Sequence, residues 1–313
     1  MNYTKIHNEL VNGRLTIPVS ILVVLLLRLL AGVKYDDWVA WGIFFMHVLI
    51  GILFMRINHS YPIIEKRTIM PSVFFLLFTG TNPFVYYDLK ENLICVGMVL
   101  CVVSALNAYQ NRNSQIDSFN ISLILSIIGI FSFPFLLFIP FFWYVFYKFK
   151  SLNFRSFFAS FAGILTVCMF LVAWCVYKDD FSFFMAKVRE AEGLLLSVES
   201  IHLSLSYCIY IGFIFVLLII SKIHAYLAKS SEKIRTNAYL QYLYLMSILV
   251  LIFSVLFDKE ITRWMLILYI PVTLLAARYF TLTTSKFSAY LLLFVFCFFL
   301  GMYFWDIYGI GII

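Results

Sequence analysis

Apolar runs of bilayer-crossing length recur along almost the whole chain, and they decide the solvent in which it folds. They fall near residues 17–33, 39–56, 69–82, 93–109, 156–177, 203–221, 237–257, 263–280 and 287–305. A helix needs roughly 20 such residues to cross about 30 Å of hydrocarbon. Hydrophobic residues make up 63% of the 313 and charged ones 12%, against roughly 45–50% and 25% in a soluble domain. Inside hydrocarbon every backbone N–H and C=O must be satisfied within the protein, which admits only helices or a closed barrel. Runs without period-two alternation choose helices. The chain therefore reads as an all-α, polytopic transmembrane bundle of about eleven spans. No repeat or linker divides it, so residues 1–313 read as a single transmembrane domain.

The charges orient the spans. The first run, near 17–33, follows Lys5 and Arg14 and lacks a small-residue cleavage site, so it reads as a retained helix. With the N-terminus in the cytoplasm, 15 of the 23 Lys and Arg residues fall inside and 12 of the 16 Asp and Glu residues fall outside. This follows the positive-inside rule and fits a multi-pass protein of a bacterial inner membrane. The fit requires the apolar stretch 119–149, interrupted by Pro134 and Pro140, to return to its own side as a Pro-broken helical hairpin. The segment 181–201 mixes Phe, Leu, Lys, Arg and Glu and reads as an outer interfacial helix.

Several chemistries are excluded. The net charge of +7 is spread over loops and forms no basic domain, so a nucleic-acid partner is not expected. The six cysteines lie in apolar runs without CxxC spacing and read as packed thiols; no metal ligand set is assigned. The five histidines show no ligand spacing, and no phosphate-binding Gly loop, serine elbow or HExxH is present. His47, inside the second run, reads as a packed, hydrogen-bonded histidine.

What remains is a set of charges near the expected outer surface. Asp36 and Asp37 follow the first run directly, where two adjacent carboxylates add desolvation cost and mutual repulsion without aiding insertion. Arg28 lies within that run. If the helix continues, Arg28 is about 12 Å along the axis from Asp36 and on nearly the same face, either snorkelling outward or meeting a phosphate. Tyr86, Tyr87, Asp88 and Glu91 follow the third run after an Asn82-Pro83 turn. Aromatic faces beside acids suit a sugar, packing on its C–H faces and accepting its hydroxyl hydrogens. Arg263 stands at the mouth of a late span, ready to fork a phosphate or to pair with Asp258 or Glu260.

These motifs together resemble the GT-C superfamily of integral-membrane glycosyltransferases. The acidic pair resembles its first-loop motif; Asn82-Pro83-Phe84-Val85-Tyr86-Tyr87-Asp88 with the Pro134-broken stretch resembles its transmembrane module. Arg263 through Pro271, ending in Ala276-Ala277, resembles its late arginine-to-proline helix. The chain is also similar to short multi-span proteins of Bacteroidetes inner membranes, from which no activity carries over. The superfamily resemblance implies transfer of a sugar from a polyprenyl-phosphate donor at the non-cytoplasmic face. Asp36 would be the general base, Asp37 its orienting partner, and Arg263 with Arg28 the ligands of the departing lipid phosphate. Asp88, Glu91, Tyr86 and Tyr87 would bind substrate. A divalent metal is left open, and no other cofactor is implied. The chain departs from the family in having Asp-Asp where Asp-Glu is common, and in lacking a large outer loop or soluble domain. The alternative expectation is a non-catalytic scaffold or accessory subunit among the protein partners of an envelope complex.

Overall fold

The computed structural model describes residues 13, 16–32, 37–66, 68–86, 88–182, 204–228, 233–257, 260–283 and 285–308. Among them the chain forms no strand and eleven α-helices: α1 (Thr16–Leu30), α2 (Trp38–Ser60), α3 (Met70–Gly80), α4 (Leu89–Asn107), α5 (Gln115–Phe131), α6 (Phe138–Lys148), α7 (Phe154–Lys178), α8 (Leu205–Ala228), α9 (Ile234–Leu256), α10 (Ile261–Leu282) and α11 (Lys286–Ile307). Seven of these, α2, α4 and α7 through α11, are long and apolar enough to cross a bilayer. The chain is a membrane protein and a polytopic helical bundle. The interfacial helix expected over 181–201 lies almost wholly outside the described residues.

Contacts divide the chain into two units, Met1–Cys95 with Ile201–Ile313, and Val96–Ser200. The boundary falls inside α4, where apolar sequence runs on without a break, so hydropathy carries no mark of it and the sequence reads as one domain.

Unit 1 is built around α3 and α10. Every residue of α3 is buried, as is nearly every residue of α10; the two pack on each other and between them touch α1, α2, α8 and α9. Phe74 stacks on Phe280, and Phe78 meets both Tyr269 and Phe299. A helix apolar on all faces belongs in such a centre, provided its hydroxyls are satisfied locally. Thr79 donates to the Phe75 carbonyl at 2.8 Å and Thr281 to the Ala277 carbonyl at 2.6 Å. Pro71 stands in the first turn of α3, where its missing N–H costs nothing.

The two ends of unit 1 differ in charge. At one end lie Asp37, Asp88, Glu91, Glu260 and Asp306, with Arg28, Lys90 and Arg263 among them; at the other lie Arg56, Lys66, Lys222, Lys233, Arg235, Arg278 and Lys286, with Glu65. At this basic end the connection after α2 is tied down by Arg278, whose Nη1 donates to the Ile63 carbonyl at 2.6 Å, and by Thr236, which donates to the Pro62 carbonyl at 3.0 Å.

Unit 2 contains a helical hairpin formed by α5 and α6. Ser132 is extended (φ −151°, ψ 111°) and ends α5; Pro134 opens a short 3₁₀ turn, Phe133–Leu137, that leads into α6. Gly129 permits the fold-back, because a Cβ there would lie 2.7 Å from a Leu136 methyl. The arms return to one side, since Ser114 before α5 donates to the Ser151 carbonyl after α6 at 2.7 Å.

A seam of small residues joins α5 to α7. Ser118 donates to the Ser156 carbonyl at 2.7 Å, and Gly163 faces Ser122. Small residues let backbones approach closely where lipid supplies no hydrophobic drive. A Cβ on Gly163 would stand 2.3 Å from Ser122 Oγ and 2.8 Å from the Phe119 carbonyl oxygen, which is backbone and cannot swing aside. Gly163→Ala should therefore destabilise the detergent-solubilised protein by about 1–3 kcal/mol, although alanine is the better helix former. At Gly212 and Gly301 a Cβ meets nothing, so alanine there should be neutral or stabilise by up to about 1 kcal/mol. Thermal unfolding of the three variants checks the ordering.

Candidate functional site

At the acidic end of unit 1 the backbone sets the first two carboxylates. Helix α1 stops at Leu30, and Gly32 takes a left-handed φ of 80°, a conformation glycine adopts without strain. The continued helix that would align Arg28 with Asp36 does not form. Asp36 and Tyr87 lie outside the described residues. Asp37 is the N-cap of α2, its Oδ1 accepting from the Ala40 N–H at 3.1 Å. Asp88 does the same before α4, accepting from the Lys90 N–H at 2.9 Å and the Glu91 N–H at 3.3 Å. Both acids thus serve helix starts, where the exposed N–H groups and the helix dipole favour negative charge.

Arg28 corrects the expectation that it snorkels. It is 2% exposed and turned into the bundle, where Nη1 donates to the Ala40 carbonyl at 2.8 Å and Nη2 lies 3.0 Å from His47 Nδ1. A guanidinium has no acceptor, so Nδ1 must be the lone-pair nitrogen of a neutral imidazole. Nε2 then carries the proton and donates to Asn92 Oδ1 at 2.5 Å. The Asn92 amide in turn donates to the Val85 and Asp88 carbonyls at 2.9 and 2.7 Å. A single direction of donation runs from α1 through α2 and α4 to the turn carrying Asp88. The guanidinium also lies over the Tyr86 ring, 4.3 Å from its centroid, with Phe44 at 5.4 Å, an arrangement that attracts a desolvated cation. Tyr86 is fully buried and its hydroxyl donates to the Gly80 carbonyl at the end of α3.

Arg263 meets acids rather than open space. Nε and Nη2 fork both oxygens of Glu91 at 2.5 and 2.7 Å, and Nη1 pairs with Glu260 one turn earlier. The Arg263 side chain is 5% exposed and that of Glu91 12%. The expected substrate ligands Glu91 and Arg263 are therefore brought together, each engaged by the other.

A second polar cluster went unread in the sequence. Asp306 near the end of α11 accepts from Ser206 Oγ at 2.5 Å and from the Tyr210 hydroxyl at 3.3 Å, both on the first turns of α8. The Tyr210 hydroxyl lies equally 3.3 Å from the Thr81 carbonyl, so its single proton is shared between that oxygen and Asp306, and Tyr207 lies 3.0 Å from Thr262. A lone acid in the last apolar run was the available signal, because an intramembrane carboxylate needs a named partner. Asn92, one turn inside its span, carried the same signal.

Among the described residues no three His, Cys, Asp or Glu side chains group to hold a metal ion. Three of the six cysteines, Cys95, Cys101 and Cys175, are buried as expected, whereas Cys168, Cys208 and Cys297 are exposed on their helices. Compared with protein families, curated proteins and solved structures, the chain has no match.

The Arg263 pairing yields an ordering. Arg263→Gln strands two carboxylates, one of them well buried, and should cost about 3–5 kcal/mol. Glu91→Gln leaves Arg263 paired with Glu260 and should cost roughly 1–2 kcal/mol. Equal losses for the two variants in thermal unfolding would contradict this geometry.

Proposed function

We propose that this chain is a membrane glycosyltransferase that moves a sugar from a polyprenyl-phosphate donor to an acceptor at the surface bearing its acidic end. The observation that supports this reading is convergence. The start of α2 that Asp37 caps, the turn bearing Tyr86 and Glu91, and the head of α10 come from distant stretches of sequence, yet Arg28 joins the Ala40 carbonyl to the Tyr86 ring and Arg263 forks Glu91 at one end of unit 1. The charge distribution supports a bacterial inner membrane, a cytoplasmic N-terminus and a non-cytoplasmic acidic end.

The geometry changes the roles within this reading. Asp36 remains the general base that takes the acceptor's hydroxyl proton as charge develops on the sugar. Asp37 becomes a positioning residue, since its carboxylate holds the start of α2. Arg28, buried against His47 and Tyr86, is a strut rather than a phosphate ligand. Arg263 takes up the departing lipid phosphate by exchanging one anionic acceptor, Glu91 or Glu260, for another. The fork geometry suits phosphate as well as carboxylate.

One observation favours a second reading, a non-catalytic accessory subunit of an envelope complex. Asp37 and Asp88 are spent on helix caps and Arg263 on two protein carboxylates.

Transfer from a panel of polyprenyl-phosphate monosaccharides separates the two. Asp36→Asn should lower transfer at least about 100-fold, the lower end of what a general base contributes. Asp37→Asn should change it less than about tenfold, because asparagine caps a helix as well as aspartate. Thermal stability should hold in both. Undiminished transfer in Asp36→Asn overturns the catalytic assignment. No transfer by the wild type from any donor, with a partner that co-purifies, favours the accessory subunit.

A further inference from the structure

The open end of the unit 2 hairpin, away from the Pro134 turn, carries a basic hollow that the transferase reading does not use. The two connections that meet there, after α4 and after α6, are stitched together. The Gln110 N–H donates to the Phe149 carbonyl at 3.1 Å, Ser114 to the Ser151 carbonyl at 2.7 Å, and Asn153 Nδ2 to the Arg112 carbonyl at 3.1 Å. Lys150 holds a left-handed φ of 56° in this turn. Beside the stitch opens a hollow of about 760 Å³ whose lining includes Arg112, Asn113, Gln115, Phe154, Arg155 and Phe157. This volume lies within the roughly 300–1,000 Å³ of sites for small molecules.

No carboxylate lines the hollow. Both arginines are exposed, and neither side chain has an ion-pair or hydrogen-bond partner among the described residues. Asp117, on the first turn of α5, pairs with neither. Nearby Lys148 is turned instead over the Tyr144 ring at 5.4 Å. The capping box between Asn153 and Ser156 occupies donors at the start of α7, so the charged donors left to the hollow are the two guanidinium groups, beside the Asn113 and Gln115 amides. Orienting charge alone would account for basic residues anywhere in these loops. It does not account for two arginines 43 positions apart edging one hollow on hydrogen-bonded connections.

The rim narrows the choice of ligand. Phe154, which lines the hollow, is 85% exposed, and Ile116, next in sequence to the lining residue Gln115, is 72% exposed, so large apolar side chains adjoin Arg155 and follow Arg112 by four positions. A free anion would use the guanidinium groups and leave this rim uncovered, whereas a lipid would use both.

We propose that this hollow binds the phosphate headgroup of an anionic phospholipid, Arg112 and Arg155 donating to the phosphate oxygens and Phe154 and Ile116 lying against its acyl chains. Arginine forks phosphate oxygens, and removing the water-filled boundary around the rim adds apolar burial. The site is independent of the chemistry at the acidic end of unit 1.

The test is thermal unfolding of the purified full chain in neutral detergent with added dioleoylphosphatidylglycerol, dioleoylphosphatidylcholine or inorganic phosphate. Phosphatidylglycerol should raise the unfolding temperature by at least about 3 °C, phosphatidylcholine and inorganic phosphate by less than about 1 °C. Arg112→Gln with Arg155→Gln should unfold at the wild-type temperature without lipid and lose the rise. An equal rise with phosphatidylcholine, a full rise with inorganic phosphate, no rise at all, or a rise retained in the double variant each overturns the proposal. Should the double variant be destabilised, Arg112→Lys with Arg155→Lys keeps the charge, and an undiminished rise there overturns the forked contact.

Discussion

A guanidinium buried inside a membrane bundle has few places to put its hydrogen bonds, and Arg28 organises the acidic end of unit 1 through that restriction. Its described partners are the Ala40 carbonyl, the His47 imidazole and the Tyr86 and Phe44 rings. Because arginine only donates, His47 must accept; because His47 accepts at one nitrogen, it donates from the other; and Asn92 passes the direction on to the turn before α4. The first, second and fourth helices are thereby fixed in register by polar contacts, in a medium that offers no hydrophobic drive for bringing helices together. Positioning of Tyr86 and Asp88 follows from that register.

The rest of this end repeats the same logic. Carbonyls near helix C-termini are met by hydroxyls, Tyr86 at Gly80 and Tyr303 at Leu27, and the Tyr210 hydroxyl lies 3.3 Å from the Thr81 carbonyl. Two of the helix starts here find a carboxylate, Asp37 for α2 and Asp88 for α4. In water many of these groups would be satisfied by solvent; close to hydrocarbon the protein must supply them. The acidity of this end thus has a structural component that would exist without any chemistry, and the functional reading has to rest on what the structural component does not consume.

The helical class and most helix positions were legible because they follow from local rules: span length, hydropathy and the need to satisfy the backbone within hydrocarbon. Segregation of most acids to one end of unit 1 was legible from the sidedness of charge. Partners were not. Arg28 could be placed in a span from sequence, but whether it turns outward or inward depends on His47 and Asn92, separated from it by 19 and 64 positions. Arg263 was read with its sequence neighbour Glu260, and that pairing exists, but the fork with Glu91, 172 residues distant, has no local signature. The division of the chain within α4 left no trace either, because an apolar helix that contributes to two units reads as one continuous span.

The direction of the Arg28 chain is the most direct point of attack. Heteronuclear NMR of detergent-solubilised protein labelled in its histidine rings, with His47 assigned by its loss in His47→Gln, reports which ring nitrogen carries the proton. A neutral ring with a bare Nδ1 and a protonated Nε2 is the predicted state. A proton on Nδ1, whether in the opposite tautomer or in an imidazolium, would contradict it, because Arg28 could then no longer donate to His47 and the register of the acidic end would need another cause.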